Sequence, residues 1–301
     1  MSAPDAEFLA GPAVADGSWS TELQRRGVPP NIPAELANLT QPQIVAALAR
    51  EYLLAGATIL TTNTFGAQRF NFGRRNLKED PAEVARAGAT IAHNVVAGKA
   101  HVGGSIGPSG KIMIVREVPE ADLRASFASH ASALAEGGVD FILLETFSEM
   151  AEIMLAIEAV RSACSLPIVA SLSFDSGPQR THTMMGVSAE EAARTLESAG
   201  VAAVGCNCGA GVNTILPAVV ALRAGTTLPL WVKPNAGLPD LVDGRPVYAV
   251  SIDDFAEHAP ALFEAGANVV GGCCGVGPEH IKRIAALVAS RGRKPRGTQK
   301  I

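Results

Sequence analysis

Two cysteines stand side by side in the stretch VVGGCCGVGPEH, Val269–His280, and another two, Cys206 and Cys208, lie upstream in AVGCNC. The chain has only five cysteines, so this clustering asks for a chemical reason. Thiolate sulfur is a soft ligand that suits Zn2+, at Zn–S distances of about 2.3 Å, and suits Mg2+ or Ca2+ poorly. A catalytic zinc keeps one coordination position for substrate, so three converging thiols would leave one open. Cys208, Cys273 and Cys274 are the candidates. Neighbouring strand residues point to opposite faces, so the backbone must bend for both Cys273 and Cys274 to reach one ion. Gly271, Gly272 and Gly275 allow that bend. Cys206 and Cys208 share a strand face, with Cys206 roughly 6.6 Å deeper at about 3.3 Å per residue. Cys208 is therefore the rim ligand, and Cys206 reads as a small buried hydrophobe. Cys164, in RSACSLP, reads as structural.

Something must bring these distant thiols together. Apolar, β-branched runs recur along the chain at 13–17, 58–65, 101–107, 141–147, 167–174, 203–208, 229–237 and 268–275. Between them lie Ala-, Leu-, Glu- and Arg-rich segments with helical periodicity. QPQIVAALAREYLLAG sets Ile44, Leu48 and Glu51 at helical spacing and ends on Gly56, while SAEEAARTLESAG opens with a capping box from Ser188 to Glu191. LAGAT, EGGVD, SAGVA and EAGAN share one step from helix into strand. Strand–helix alternation of this kind predicts a single α/β domain, a (β/α)8 TIM barrel with the zinc site at its C-terminal rim, in preference to an open doubly wound sheet. The expected limits are an N-terminal arm over 1–12, the barrel over 13–290 and a basic, disordered tail over 291–301.

Chemistry in such barrels sits where strands end. The strand ends here carry Asp16, Asn63 with Thr64, Ser105, Glu145 with Thr146, Asn207 with Cys208, Lys233 with Asn235, and Cys273 with Cys274. Acids, amides and thiols thus gather on one rim. GGSIGPSG lacks the Lys-Ser/Thr of a phosphate loop and reads as a tight rim turn. None of the six histidines has close metal-ligand spacing, which argues against a metal-dependent hydrolase.

A net charge of −4 and a sequence pI near 5.9 call for neither nucleic acid nor an anionic membrane as partner. The N-terminal stretch has no basic start and no apolar run of signal-peptide type, and no segment reaches the roughly 18 apolar residues of a membrane span. A cytoplasmic protein with reduced thiols is the expectation.

The motifs ADG, TNTFGA, GSIGPSG, LLETF, GCNC, KPNAGLP and GGCCG, in this order from Asp16 towards His280, resemble the homocysteine S-methyltransferase family. TNTFGA, KPNAGLP and GGCCG are most similar to the homocysteine-binding module of cobalamin-dependent methionine synthase and to bacterial betaine-type homocysteine methyltransferases. The resemblance implies a (β/α)8 barrel with zinc on Cys208, Cys273 and Cys274, and the homocysteine thiol as fourth ligand. It also implies Asn235 as a possible fourth ligand when substrate is absent. Asp16 and Glu145 would hold the substrate ammonium, and backbone amides of the first loop, around Gly17, its carboxylate. Asn63 and Ser105 complete the expected substrate residues. The implied activity moves a methyl group to the homocysteine thiol and yields methionine. The first loop reads DGSWST where the family usually has DGAMGT, so Trp19 replaces a methionine beside the substrate.

The methyl donor is less sharply indicated. The chain shows no Asp-x-His-x-x-Gly cobalamin motif and no second barrel, so a methyl-corrinoid (methylcobalamin type) carried by a separate protein is the first expectation. A small onium donor, of betaine or S-methylmethionine type, is the alternative, and a non-catalytic zinc- or thiol-binding barrel subunit is a further one. Retained carboxylates at Asp16 and Glu145 speak against pure metal storage.

Overall fold

A computed structural model describes residues 6–242 and 245–291. Apart from Arg291, the expected basic tail lies outside the described residues. The strands are β1 (Ala13–Val14), β2 (Ile59–Thr61), β3 (His101–Ile106), β4 (Phe141–Phe147), β5 (Ile168–Leu172), β6 (Ala203–Cys208), β7 (Leu230–Pro234), β8 (Pro239–Val242), β9 (Arg245–Tyr248) and β10 (Val269–Val270). Eight of them form one parallel sheet in the order β1-β10-β7-β6-β5-β4-β3-β2. Its two ends meet. A parallel bridge pairs Ala15 with Ile59, and Thr58 N–H donates to Val14 O at 2.8 Å. An open doubly wound sheet would leave two free edges and reverse its strand order, so this is a barrel.

Several ladders are shorter than the apolar runs. The second run, 58–65, pairs only over Ile59–Thr61, and the last, 268–275, only over Val269–Val270. In both, the residues beyond the ladder turn aside to build rim loops. The shared helix-to-strand step has a common backbone cause: Gly56, Gly138, Gly200 and Gly266 all take positive φ, from 73° to 103°, which favours glycine after a helix end. The Ser188 side chain accepts the Glu191 N–H and so caps its helix.

Side-chain alternation divides the core in two. Ile59, Phe141, Leu143, Val169, Ala203, Trp231 and Val269 fill the barrel interior. Ile142, Leu144, Ala170, Leu172, Val204, Cys206, Leu230 and Val232 face the surrounding helices. The described part of the expected arm, residues 6–12, packs against this core: Leu9 is fully buried with the interior cluster, and Phe8 stacks on His101 with ring centroids 4.2 Å apart. His101 and Phe141 begin β3 and β4, so this plug closes the end opposite the rim.

The β8–β9 hairpin is antiparallel and interrupts the expected β7-to-helix connection. Its sequence signal, an Asp-Gly pair between two short apolar stretches, stands in PDLVDGRPVY. Among the described residues no helix is long and apolar enough to cross a membrane.

Candidate active site

Moving one step up each interior-facing row from the apolar core reaches polar residues. Thr61 follows Ile59, Glu145 follows Leu143, Ser171 follows Val169, and Lys233 follows Trp231; Asn207 stands on the matching row of β6. Above this layer opens a cavity of about 590 Å3 whose wall includes Gly17, Trp19, Thr61, Asn63, Ser105, Glu145, Lys233 and the cysteines 208, 273 and 274.

The sulfurs of Cys208, Cys273 and Cys274 all lie within 4.8 Å of one another. Cys208 and Cys273 are 3.0 Å apart, and all five cysteines are free thiols. For tetrahedral zinc with Zn–S of about 2.3 Å, ligand sulfurs stand about 3.8 Å apart, a spacing this range encloses. The donor set therefore fits Zn2+. Hydrogen bonds among the thiols push Cys208 well up and hold Cys274 down, at about 3. The Tyr248 phenol also reaches the Cys274 sulfur as a donor.

Cys206 is 1% exposed and packs with the helix-facing layer. The face that alternation assigns to both Cys206 and Cys208 is therefore the outer one. Cys208 escapes it because its backbone is left-handed, with φ 61°. Thr146 on β4 is left-handed too, with φ 66°. Such conformations in non-glycine residues cost on the order of 1–3 kcal/mol each and persist only where neighbours impose them. Asn207 is that neighbour. Its Oδ1 accepts from Thr146 N–H at 2.9 Å and from Ser171 Oγ at 2.6 Å, and its Nδ2 donates to Thr146 Oγ1 at 2.6 Å and to Cys208 Sγ at 3.4 Å. Sequence reading put Asn207 at the rim without a role, and the Asn-Cys pair was the available signal.

Beyond Val270 the chain leaves β10 and turns through Cys274 and Gly275, with Val276 N–H donating to Cys273 O at 3.1 Å and Gly275 at φ 83°; in this turn the sulfurs of Cys273 and Cys274 converge. A Cβ on Gly275 would stand 2.4 Å from the Tyr248 ring, so the hairpin packs directly over this turn. Asn235 spans the cluster from the third side: Nδ2 donates to Gly209 O and Oδ1 accepts from Cys274 N–H.

Glu145 stands on β4, opposite β10 around the ring. Ser105 Oγ donates to its Oε1 at 2.5 Å. Enclosure by protein pushes its carboxyl up to about 7, against the pull of the nearby Lys233 ammonium. Asn63 contributes to the cavity wall while its amide points elsewhere, to Ala34 O at 2.8 Å and Asn38 Oδ1 at 3.0 Å.

Asp16 stands just beyond β1, at the strand end where the sequence puts it. It is fully buried, and Lys233 Nζ lies 2.6 Å from its Oδ1. Thr61 N–H at 2.7 Å and Trp19 Nε1 at 3.1 Å donate to its Oδ2. Burial works against the Lys233 charge, yet Asp16 and Glu145 hold its pKa above the usual lysine range. Trp19, the departure in the first loop, thereby becomes both a cavity wall and a donor to Asp16.

Comparison with known proteins agrees with this architecture. The sequence pattern of the family described as homocysteine S-methyltransferase matches residues 13–288. The methionine synthases of Mycobacterium tuberculosis and Mycobacterium leprae are 32% and 30% identical over 94% and 96% of this chain. The chain covers 25% of each, so it spans about a quarter of the length of the curated relatives it matches. Among solved structures, the metallated homocysteine methyltransferase MmuM from Escherichia coli superposes with a TM-score of 0.78 at 23% identity, over 94% of this chain and 99% of that one, a likeness of fold. Because the match runs unbroken from the first barrel strand into the last helix, the chain belongs to the homocysteine S-methyltransferase family.

Proposed function

We propose that this chain transfers a methyl group to the thiol of homocysteine, giving methionine, with Zn2+ held by Cys208, Cys273 and Cys274. The observation that carries the reading is the sulfur trio on one side of a cavity whose opposite side presents Glu145. Bound there, zinc supplies a Lewis acid that lowers the pKa of a coordinating thiol from its free value of about 8.5 into the neutral range. The protein does the rest by position. Asn207 and Asn235 hold the ligand loops, and Glu145 receives the substrate ammonium. Ser105 orients Glu145.

The donor we propose is a methyl-corrinoid presented by a separate protein or domain; the sequence likeness to methionine synthases supports this choice. A small onium compound is the second reading. One experiment addresses both. Zinc-loaded protein is incubated with homocysteine and, in turn, methylcobalamin, betaine, dimethylsulfoniopropionate, S-methylmethionine and S-adenosylmethionine, and methionine is quantified by chromatography. Turnover with methylcobalamin is expected. Turnover with an onium donor alone would replace the corrinoid reading, and absence of both turnover and homocysteine binding would refute the function.

A further inference from the structure

A second cavity, of about 300 Å3, opens on the outside of the barrel between the helices Pro81–Val96 and Glu120–Glu136. It shares no lining residue with the rim cavity. The first helix gives it the opening turn beside Asp80, the second gives Ser126, Ser129 and His130, and Arg69 completes the wall. Ser126 is 7% exposed and His130 2%. Among the described residues, neither the Ser126 hydroxyl nor either ring nitrogen of His130 has a hydrogen-bond partner. The two residues stand four apart, on one face of their helix. A buried polar group without a partner weakens the fold, and an apolar side chain of similar size would not. Packing alone therefore asks for neither a serine nor a histidine here.

The lining specifies what kind of partner fits. Burial keeps the imidazole neutral, its pKa pushed down to about 3. One ring nitrogen then donates and the other accepts, and a serine hydroxyl does both. A carboxylate only accepts and an ammonium only donates, so a bare ion would satisfy half of this pair. A hydroxyl or a carboxamide satisfies both functions. Two opposite charges flank the same cavity. The Arg69 guanidinium lies over the Phe70 ring, 5.7 Å from its centroid, and Asp80 accepts the Ala82 N–H at 3.0 Å on one carboxylate oxygen. Among the described residues neither charge belongs to an ion pair, although both line one cavity. A water molecule's share of the liquid is about 30 Å3, so the space admits a solute of several non-hydrogen atoms. We infer that this cavity binds a free α-amino acid whose side chain ends in a hydroxyl or a carboxamide. The side-chain group meets Ser126 and His130, the α-carboxylate meets Arg69, and the α-ammonium meets Asp80. No residue of the rim cavity takes part, so the inference is independent of the methyl-transfer reading.

The test is calorimetric titration of the whole chain with serine, threonine, asparagine and glutamine. Alanine and norvaline supply both charges without the polar head, acetamide the head without the charges, and inorganic phosphate an anion alone. At least one of the four polar amino acids should bind, about tenfold or more tighter than any of these controls. For that ligand, Ser126→Ala and His130→Leu should each weaken binding by roughly 10-fold or more. Arg69→Gln and Asp80→Asn lie on the surface, and asparagine keeps the helix cap; each should weaken binding by roughly 3- to 10-fold. Nitrogen NMR of the histidine rings should show the His130 signals move when the ligand binds. Absence of binding by all four amino acids would overturn the inference. So would alanine or norvaline binding as tightly as they do, a preference for phosphate, full affinity in both the Arg69 and Asp80 variants, or His130 signals that stay still while the ligand binds.

Discussion

Asn235 and Cys274 are joined side chain to backbone: Asn235 Oδ1 accepts the Cys274 N–H at 2.9 Å. The same amide donates through Nδ2 to Gly209 O at 2.7 Å, one residue past Cys208. One side chain therefore ties the two cysteine loops together. A brace and a fourth ligand make different demands. A ligand that yields to substrate is dispensable once homocysteine is bound, and a brace is not. Asn235→Ala should lower zinc affinity by roughly 10- to 100-fold, as loss of an orienting partner does. The deficit should persist with saturating homocysteine. Zinc competition with a chromogenic chelator, with and without homocysteine, measures both values; recovery to wild-type affinity on adding homocysteine would point to the ligand role.

The cysteines should separate cleanly in metal analysis. Cys208→Ala, Cys273→Ala and Cys274→Ala are each expected to lose most bound zinc, because each removes one of the converging sulfurs. Cys206→Ala should retain it and show only the modest destabilisation of a trimmed core side chain, about 1 kcal/mol. Normal zinc in Cys273→Ala would refute the site.

Gly17 stands where a side chain cannot. A Cβ there would lie 2.2 Å from Val276 O and 2.9 Å from the Tyr52 hydroxyl. Val276 O already accepts from Ser18 N–H at 2.8 Å and from Tyr52 at 3.2 Å. Gly17→Ala must push the first loop away from the Cys273–Val276 turn. We expect a loss of about 1–3 kcal/mol in urea unfolding, as for other overpacked sites. Zinc affinity should fall as well.

His130 is 2% exposed, and neither ring nitrogen has a hydrogen-bond partner. Burial pushes its pKa down to about 3, from 6.5 when unfolded. A depressed folded pKa means that the unfolded chain binds the proton first. The stability contribution is therefore complete above pH 6.5 and drains away as pH falls towards 3. Between pH 8 and pH 5 the loss should be about 2 kcal/mol. His130→Leu should remove this component of acid sensitivity. Denaturant unfolding of both proteins across that range decides it, and equal slopes would show that His130 is not neutral in the fold.

Much of this site was legible before any coordinates. Eight apolar runs separated by helical segments carry their own order, and in a parallel barrel that order alone sends every strand end to one rim. Cysteine chemistry then pointed to a soft-metal site, since thiols gathered on strands six and eight suit few ions, and the structure brings those sulfurs together. These are properties of residue type and local spacing, which a linear chain displays directly. Three things were not legible. Cys208 reaches its partners through a left-handed backbone imposed by Asn207, which is anchored to Thr146 of β4 and Ser171 of β5, and alternation within β6 predicts the opposite face. The β8–β9 hairpin brings Tyr248 over the cysteine turn. Asp16 and Glu145 looked equivalent, two carboxylates at two strand ends, until Lys233 neutralised one of them from 217 positions away. Which rim charges pair and which stay open to a ligand depends on register, burial and through-space distance. Coulomb energy acts on those distances and takes no account of sequence separation, so only the closed barrel could decide it.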